Sequence, residues 1–181
     1  MIINIITFLS IALVIAIIYF ALKKRAVAPQ ASLDVQRKIL EDHVAFYQEL
    51  SKEEKLRFET SVRNFLQKVR VTGVKTKVED IDSVFVAAAA IIPIFQFKDW
   101  QYRNIHEVLL YPDHFSKGFH QEGDERNVLG MVGDGGMEDM MILSKQELRN
   151  GFFNKTDTSN TAIHEFVHII DKMDGDTDGM P

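Results

Sequence analysis

His164-Glu165-Phe166-Val167-His168 sets two histidines four residues apart, with a glutamate directly after the first. On a helix, positions i and i+4 share one face, so both imidazoles can reach a single Zn²⁺ at about 2.0–2.1 Å while Glu165 lies to one side. A metal held there polarises a carbonyl and acidifies a water; Glu165 takes that water's proton and later delivers it to the leaving amine. The chemistry is peptide-bond hydrolysis. With six His and twelve Glu in 181 residues, chance supplies such a segment in about 1 of 100 chains of this composition.

The flanks strengthen the zinc reading. Phe166, Val167, Ile169 and Ile170 leave the motif without charged neighbours on those positions, as in a helix buried except along its metal face. Thr158, Ser159 and Asn160 are N-cap candidates and Gly175 is a stop signal. The competing reading is a buried helix whose histidines are only hydrogen-bonded. There are no cysteines, so no disulfide or thiolate site exists and any zinc must be held by His and carboxylate.

The elements that position this helix can be read backwards along the chain. The short apolar runs Glu107 to Tyr111, Asn127 to Val132 and Asp139 to Leu143 are bounded by Pro, Gly and Asp and predict strands, with a turn at Gly133-Asp134-Gly135-Gly136. The 139–143 strand is the candidate edge on which an extended peptide would add by backbone hydrogen bonding. Glu79 to Ile92, with its Ala87 to Ala90 tract, predicts a buried helix ending near Pro93. Leu33 to Val69 predicts two amphipathic helices. Leu40, Val44, Tyr47 and Leu50 face inward on the first; Ser51-Lys52-Glu53-Glu54 opens the second as a capping box, followed by Leu56, Phe58, Val62, Phe65, Leu66 and Val69. Helices, a small set of strands and then the metal helix describe an α+β domain.

Residues 1–22 carry no charge and as a helix would extend about 33 Å, enough to span a bilayer. A cleaved signal peptide fits less well: a basic start is missing and Lys23, Lys24 and Arg25 follow the apolar run. The expected organisation is a transmembrane anchor over 1–23, a linker over 24–32 and a zinc-peptidase-like domain over 33–181. The basic cluster orients the anchor with the domain facing the cytoplasm. Beyond Arg25 the chain has 18 Lys and Arg against 26 Asp and Glu, a net charge of −8, which argues against nucleic acid as a partner.

Leu50-Ser51 with the helix after it, Ile91-Ile92-Pro93, Leu109-Leu110-Tyr111-Pro112, Ile142-Leu143-Ser144 and the run HEFVHIIDKMDGDTDGMP together resemble the zinc-peptidase family of the Mlc titration factor A. The resemblance covers about residues 45 to 181 and is most specific from Asn160 to Pro181. It implies a zincin-like fold, peptidase activity, zinc ligands at His164 and His168, and a catalytic Glu165. It also implies a possible transcriptional regulator as partner, because the namesake binds a repressor of sugar uptake. This chain departs from the family pattern at Lys145, where Trp is frequent, and at the Gly133–Gly136 turn; both departures bear on substrate preference.

A catalytic zinc needs a third protein ligand, which the family supplies as a downstream Glu. Glu165 is the last glutamate here and no His follows His168. The expectation is therefore a C-terminally truncated piece, weak or inactive by itself. Asp171 shares the histidine face but is short, which suits it to orienting a histidine rather than binding the metal. His114, His120 and Glu138 have no supporting pattern, and Asp174 to Gly179 matches only the first half of a calcium loop. The leading reading is a membrane-anchored zinc metallopeptidase acting on a peptide or protein. The alternative is a regulatory binding protein whose zinc site is structural or vestigial.

Overall fold

The computed structural model describes residues 31–97, 100–113, 130–132, 139–154 and 160–171. The predicted anchor and most of the linker, His114, His120, Glu138, the 133–136 turn and the Asp174–Gly179 loop lie outside them. Among the described residues no helix is long and apolar enough to cross a membrane.

Helix α1 (Leu33–His43) starts where the Ser32 side chain accepts from the Val35 amide. It does not run on to Leu50 as expected. Val44 turns extended, and a one-turn helix α2 (Ala45–Gln48) follows. The break leaves Leu40, Val44 and Tyr47 buried. It also lets the Tyr47 hydroxyl donate to Glu59 at 2.7 Å, so the polar end of a buried ring is satisfied. Helix α3 (Lys52–Lys68) opens with the anticipated capping box: the Ser51 amide donates to Glu54 Oε2 at 3.0 Å and the Glu54 amide to Ser51 Oγ at 3.4 Å. Phe58, Val62 and Phe65 face the core, but Leu56 is exposed. Two residues before Phe58, it sits about 200° away around the helix axis.

Strand β1 (Arg70–Gly73) leads through a tight turn to α4 (Asp80–Ile94). A Cβ at Gly73 would stand 2.1 Å from the Thr76 carbonyl oxygen, so only glycine fits that turn. Helix α4 is the hub. Val84 to Ala90 are fully buried, and α1, α3 and two later helices pack on it. It ends at Ile94, one residue past Pro93 and near the expected stop. A proline in the last turn removes only one backbone donor, and the neighbouring Ala90 carbonyl takes an additional bond from the Tyr102 hydroxyl at 2.7 Å.

Strands β2 (Glu107–Tyr111), β3 (Gly130–Val132) and β4 (Met140–Ser144) join β1 in a sheet of order β1-β2-β4-β3. β1 pairs with β2 and β2 with β4 in parallel, while β3 runs antiparallel to β4. Because β1 precedes α4, strands and helices interleave. The architecture is mixed α/β with a small, mainly parallel sheet, not helices followed by a separate set of strands. The expected edge strand is also corrected. β4 has neighbours on both sides and buries Met141, Ile142 and Leu143, so no peptide can add to it; among the described residues β1 and β3 form the edges. β4 begins at Met140 after Asp139 adopts a φ of 68°, a left-handed conformation that Asp tolerates better than most side chains.

Helix α5 (Lys145–Phe153) leaves β4 directly and is capped by Ser144 Oγ, which accepts from the Glu147 amide at 3.2 Å. Helix α6 (Thr161–Asp171) carries the HExxH segment and packs on α4, α5 and β3.

Candidate metal site on helix α6

Asn160 starts the helix. Its Oδ1 accepts from the Ile163 amide at 3.1 Å, its backbone carbonyl accepts from the His164 amide at 3.0 Å, and its Nδ2 donates to the Gly151 carbonyl at 3.0 Å. One side chain thus caps α6 and ties it to α5. Of the three expected cap candidates, Thr158 and Ser159 lie outside the described residues, as does Gly175.

Ala162, Phe166 and Ile169 form the buried side of α6. The ring of Phe166 meets Phe65 at 5.8 Å and Tyr102 at 5.5 Å between centroids, both edge-on. Near the other end, Asn104 Nδ2 donates to the Ile169 carbonyl at 2.9 Å. No sequence signal marked Asn104, since a lone polar residue between Arg103 and Ile105 belongs to no pattern. The helix is held at its cap, its middle and its last turn.

The opposite side presents the histidines. His164 is exposed, His168 is half-buried, and their Nε2 atoms are 2.9 Å apart. Two nitrogens at about 2.05 Å from one tetrahedral zinc would stand about 3.3 Å apart. A small imidazole rotation closes that difference, so the pair fits a shared metal. Glu165 is half-buried, and burial pushes its carboxyl above the usual range, opposed by the neighbouring His168 and His164. A carboxyl tuned upward is better matched to proton transfer near neutral pH. Asp171 lies on the histidine side, half-buried. Among the described residues, no group of three His, Asp or Glu converges on one point, so His164 and His168 gain no third partner there.

A helix with this donor pair and an adjacent tuned carboxylate agrees with what comparison with known proteins finds. A family model matches residues 20–181. The chain belongs to the glucose-regulated metallo-peptidase M90 family. An uncharacterized protein from Synechocystis is 26% identical over 151 residues, which is 79% of this chain and 54% of that protein. The chain therefore spans about half the length of the curated relative it matches. Membership of the M90 family gives it a metallopeptidase-like domain, and such a family implies a divalent metal.

Lys145, expected above to bear on substrate preference, has a structural task. Its Nζ donates to the Lys77 carbonyl at 2.8 Å and stands 3.2 Å from both Glu79 and Asp82. Arg149, one turn on, binds Asp82 through Nε at 2.7 Å and also pairs with Glu79. The cations of α5 therefore clamp the start of α4, where Asp82 is fully buried and caps the Glu79 amide at 2.8 Å. The sequence reading missed this cluster, although Lys145 and Arg149 at i and i+4 after a Ser-x-x-Glu start were a legible helix signal.

Proposed function

We propose that this chain is the core of a zinc metallopeptidase that cleaves peptide bonds, with His164 and His168 holding the metal and Glu165 acting as general base. The observation that carries this reading is the 2.9 Å approach of the two Nε2 atoms beside a half-buried, upward-tuned Glu165. Zinc bound there supplies Lewis acidity toward a substrate carbonyl and an acidified water. Glu165 accepts that water's proton and returns it to the departing amine. The third ligand comes from outside the described residues. Asp171 accepts the second ring N–H of a histidine and fixes its orientation.

The fold supports a peptide as substrate. β3, an antiparallel edge strand among the described residues, contacts α6 and so offers an extended peptide a backbone edge beside the HExxH helix. On this reading the sheet and helix form a zincin-like domain. For residues 1–23 we retain the anchor, on the uncharged run and the basic cluster after it, with the domain on the cytoplasmic side. The family match begins at residue 20, so residues 1–19 lie outside it.

The test is Glu165→Gln in the full-length protein. It should bind zinc as the parent does and lose peptide hydrolysis by at least about 100-fold, the scale of general-base removal. Hydrolysis equal to the parent's would refute the assignment. Capture of a protein partner that survives both this substitution and zinc removal, with no peptide cleaved, would instead support the regulatory binding reading.

A further inference from the structure

A cavity of about 660 Å³ opens between α3, the end of α4 and residues 100–106. Its size lies within the range that holds small organic ligands. The floor is apolar, built from Ile94, Phe95, Trp100 and Ile105, and Phe97 adds an exposed apolar lip. The polar part of the lining is one-signed. Arg57, Lys68 and Arg103 contribute to it, and no carboxylate among the described residues does.

The Arg57 guanidinium is stacked over the Phe95 ring, 4.1 Å from its centroid, with its Nε buried, so it adds positive charge to the wall. Glu54, one turn earlier and within reach of the Arg57 charge, is committed to the α3 capping box. Lys68 Nζ is held at 2.7 Å by Gln101 Oε1, a neutral acceptor that positions the ammonium without cancelling its charge.

This is a separate place from the peptide site. Phe65 and Tyr102 line the cavity and pack on Phe166. Phe166 is two residues from each histidine, hence about 200° around the helix from both. The cavity lies behind α6, with the Phe166 layer between it and the histidine face.

We propose that this cavity binds a small amphiphilic carboxylate of the medium-chain fatty-acid type. The head meets Lys68 Nζ, with Arg57 adding positive charge farther along α3, and the chain lies on the apolar floor. A charge-assisted bond to a carboxylate is about twice as strong as a neutral one, so the head selects for negative charge. The inference does not depend on the metal chemistry of α6.

The chain's one tryptophan, Trp100, lines the cavity and serves as reporter. The protein would be titrated with sodium decanoate below its micellar concentration, with equilibrium dialysis giving affinity and stoichiometry and Trp100 emission assigned by comparison with a Trp100→Phe variant. The expected result is a saturable one-to-one change, with 1-decanol and decyltrimethylammonium each bound at least about ten-fold more weakly. Lys68→Gln should weaken decanoate about ten-fold and leave decanol unchanged. Absence of saturable one-to-one binding, equal affinity for decanol, or an unchanged affinity in Lys68→Gln would each overturn the proposal.

Discussion

Replacing Gly151 with alanine tests how α6 is held, because the expected sign contradicts the usual rule. Gly151 lies within α5, where Gly→Ala ordinarily stabilises a helix by about 0.5–1 kcal/mol. Here a Cβ would stand 2.8 Å from Asn160 Cγ and Nδ2 and 3.0 Å from its Oδ1. The amide can move aside, but only by giving up the cap on the Ile163 amide and the bond to the Gly151 carbonyl. The lost cap costs about 1 kcal/mol and the second hydrogen bond about 1 more. Net destabilisation is then about 1 kcal/mol. In an Asn160→Ala background there is no amide to displace, so Gly151→Ala should stabilise by about 0.5–1 kcal/mol, a coupling of about 2 kcal/mol across the pair. Urea unfolding of the four proteins measures it, and zinc affinity should follow the same order, because the cap lies at the start of the helix carrying His164. If Gly151→Ala stabilises the parent by as much as it stabilises the Asn160→Ala variant, the cap argument is wrong.

Asp82→Asn should destabilise by about 2–3 kcal/mol in urea, since it leaves Arg149 and Lys145 with only the exposed Glu79 as a charged partner, the loss being softened by that partner and by their residual access to water; a cost below about 0.5 kcal/mol would remove the clamp from the stability account. Glu59 is held below the usual glutamate range, chiefly by the bond from Arg37, and also accepts from Tyr47. A depressed folded value means that its contribution is complete above the unfolded pKa of about 4.3 and is lost as pH falls through and below it. Glu59→Gln should therefore flatten the loss of stability between about pH 5 and 3, measured by melting temperature across that window, and an unchanged slope would count against the pair. Phe166→Ala should cost about 3–5 kcal/mol from the cavity it leaves and lower zinc affinity with it, read by unfolding and by competition with a chelator.

How much was legible depended on whether a residue's task was local. The Ser51 and Glu54 capping box, the cap at Asn160 and the burial of Phe58, Val62, Phe65 and Phe166 all follow from spacing within one helix, and spacing is what a sequence displays. β1 escaped because Arg70-Val71-Thr72-Gly73 has no apolar run; the strand exists because β2 stands beside it. β4 was mistaken for an edge because pairing on both sides is a property of the sheet, not of its own five residues. The clamp of Lys145, Arg149, Glu79 and Asp82 joins residues some 65 positions apart; the α5 segment showed a helix start, but nothing in either segment showed that the two would pair.

The two sides of α6 explain each other. On the proposed function the His164 and His168 face must stay open to substrate, and such a stripe buries little apolar surface of its own. Stability must come from the other side. Phe166 packs in the angle between Phe65 and Tyr102, and Asn160 and Asn104 hold the backbone at either end. With the helix fixed at three points, bringing two Nε2 atoms to 2.9 Å demands little ordering when a metal arrives. The same rigidity makes the helix responsive from behind. Phe65 and Tyr102 belong at once to the Phe166 packing and to the cavity wall. A molecule seated in that cavity therefore bears on the residues that set the position of the histidine pair.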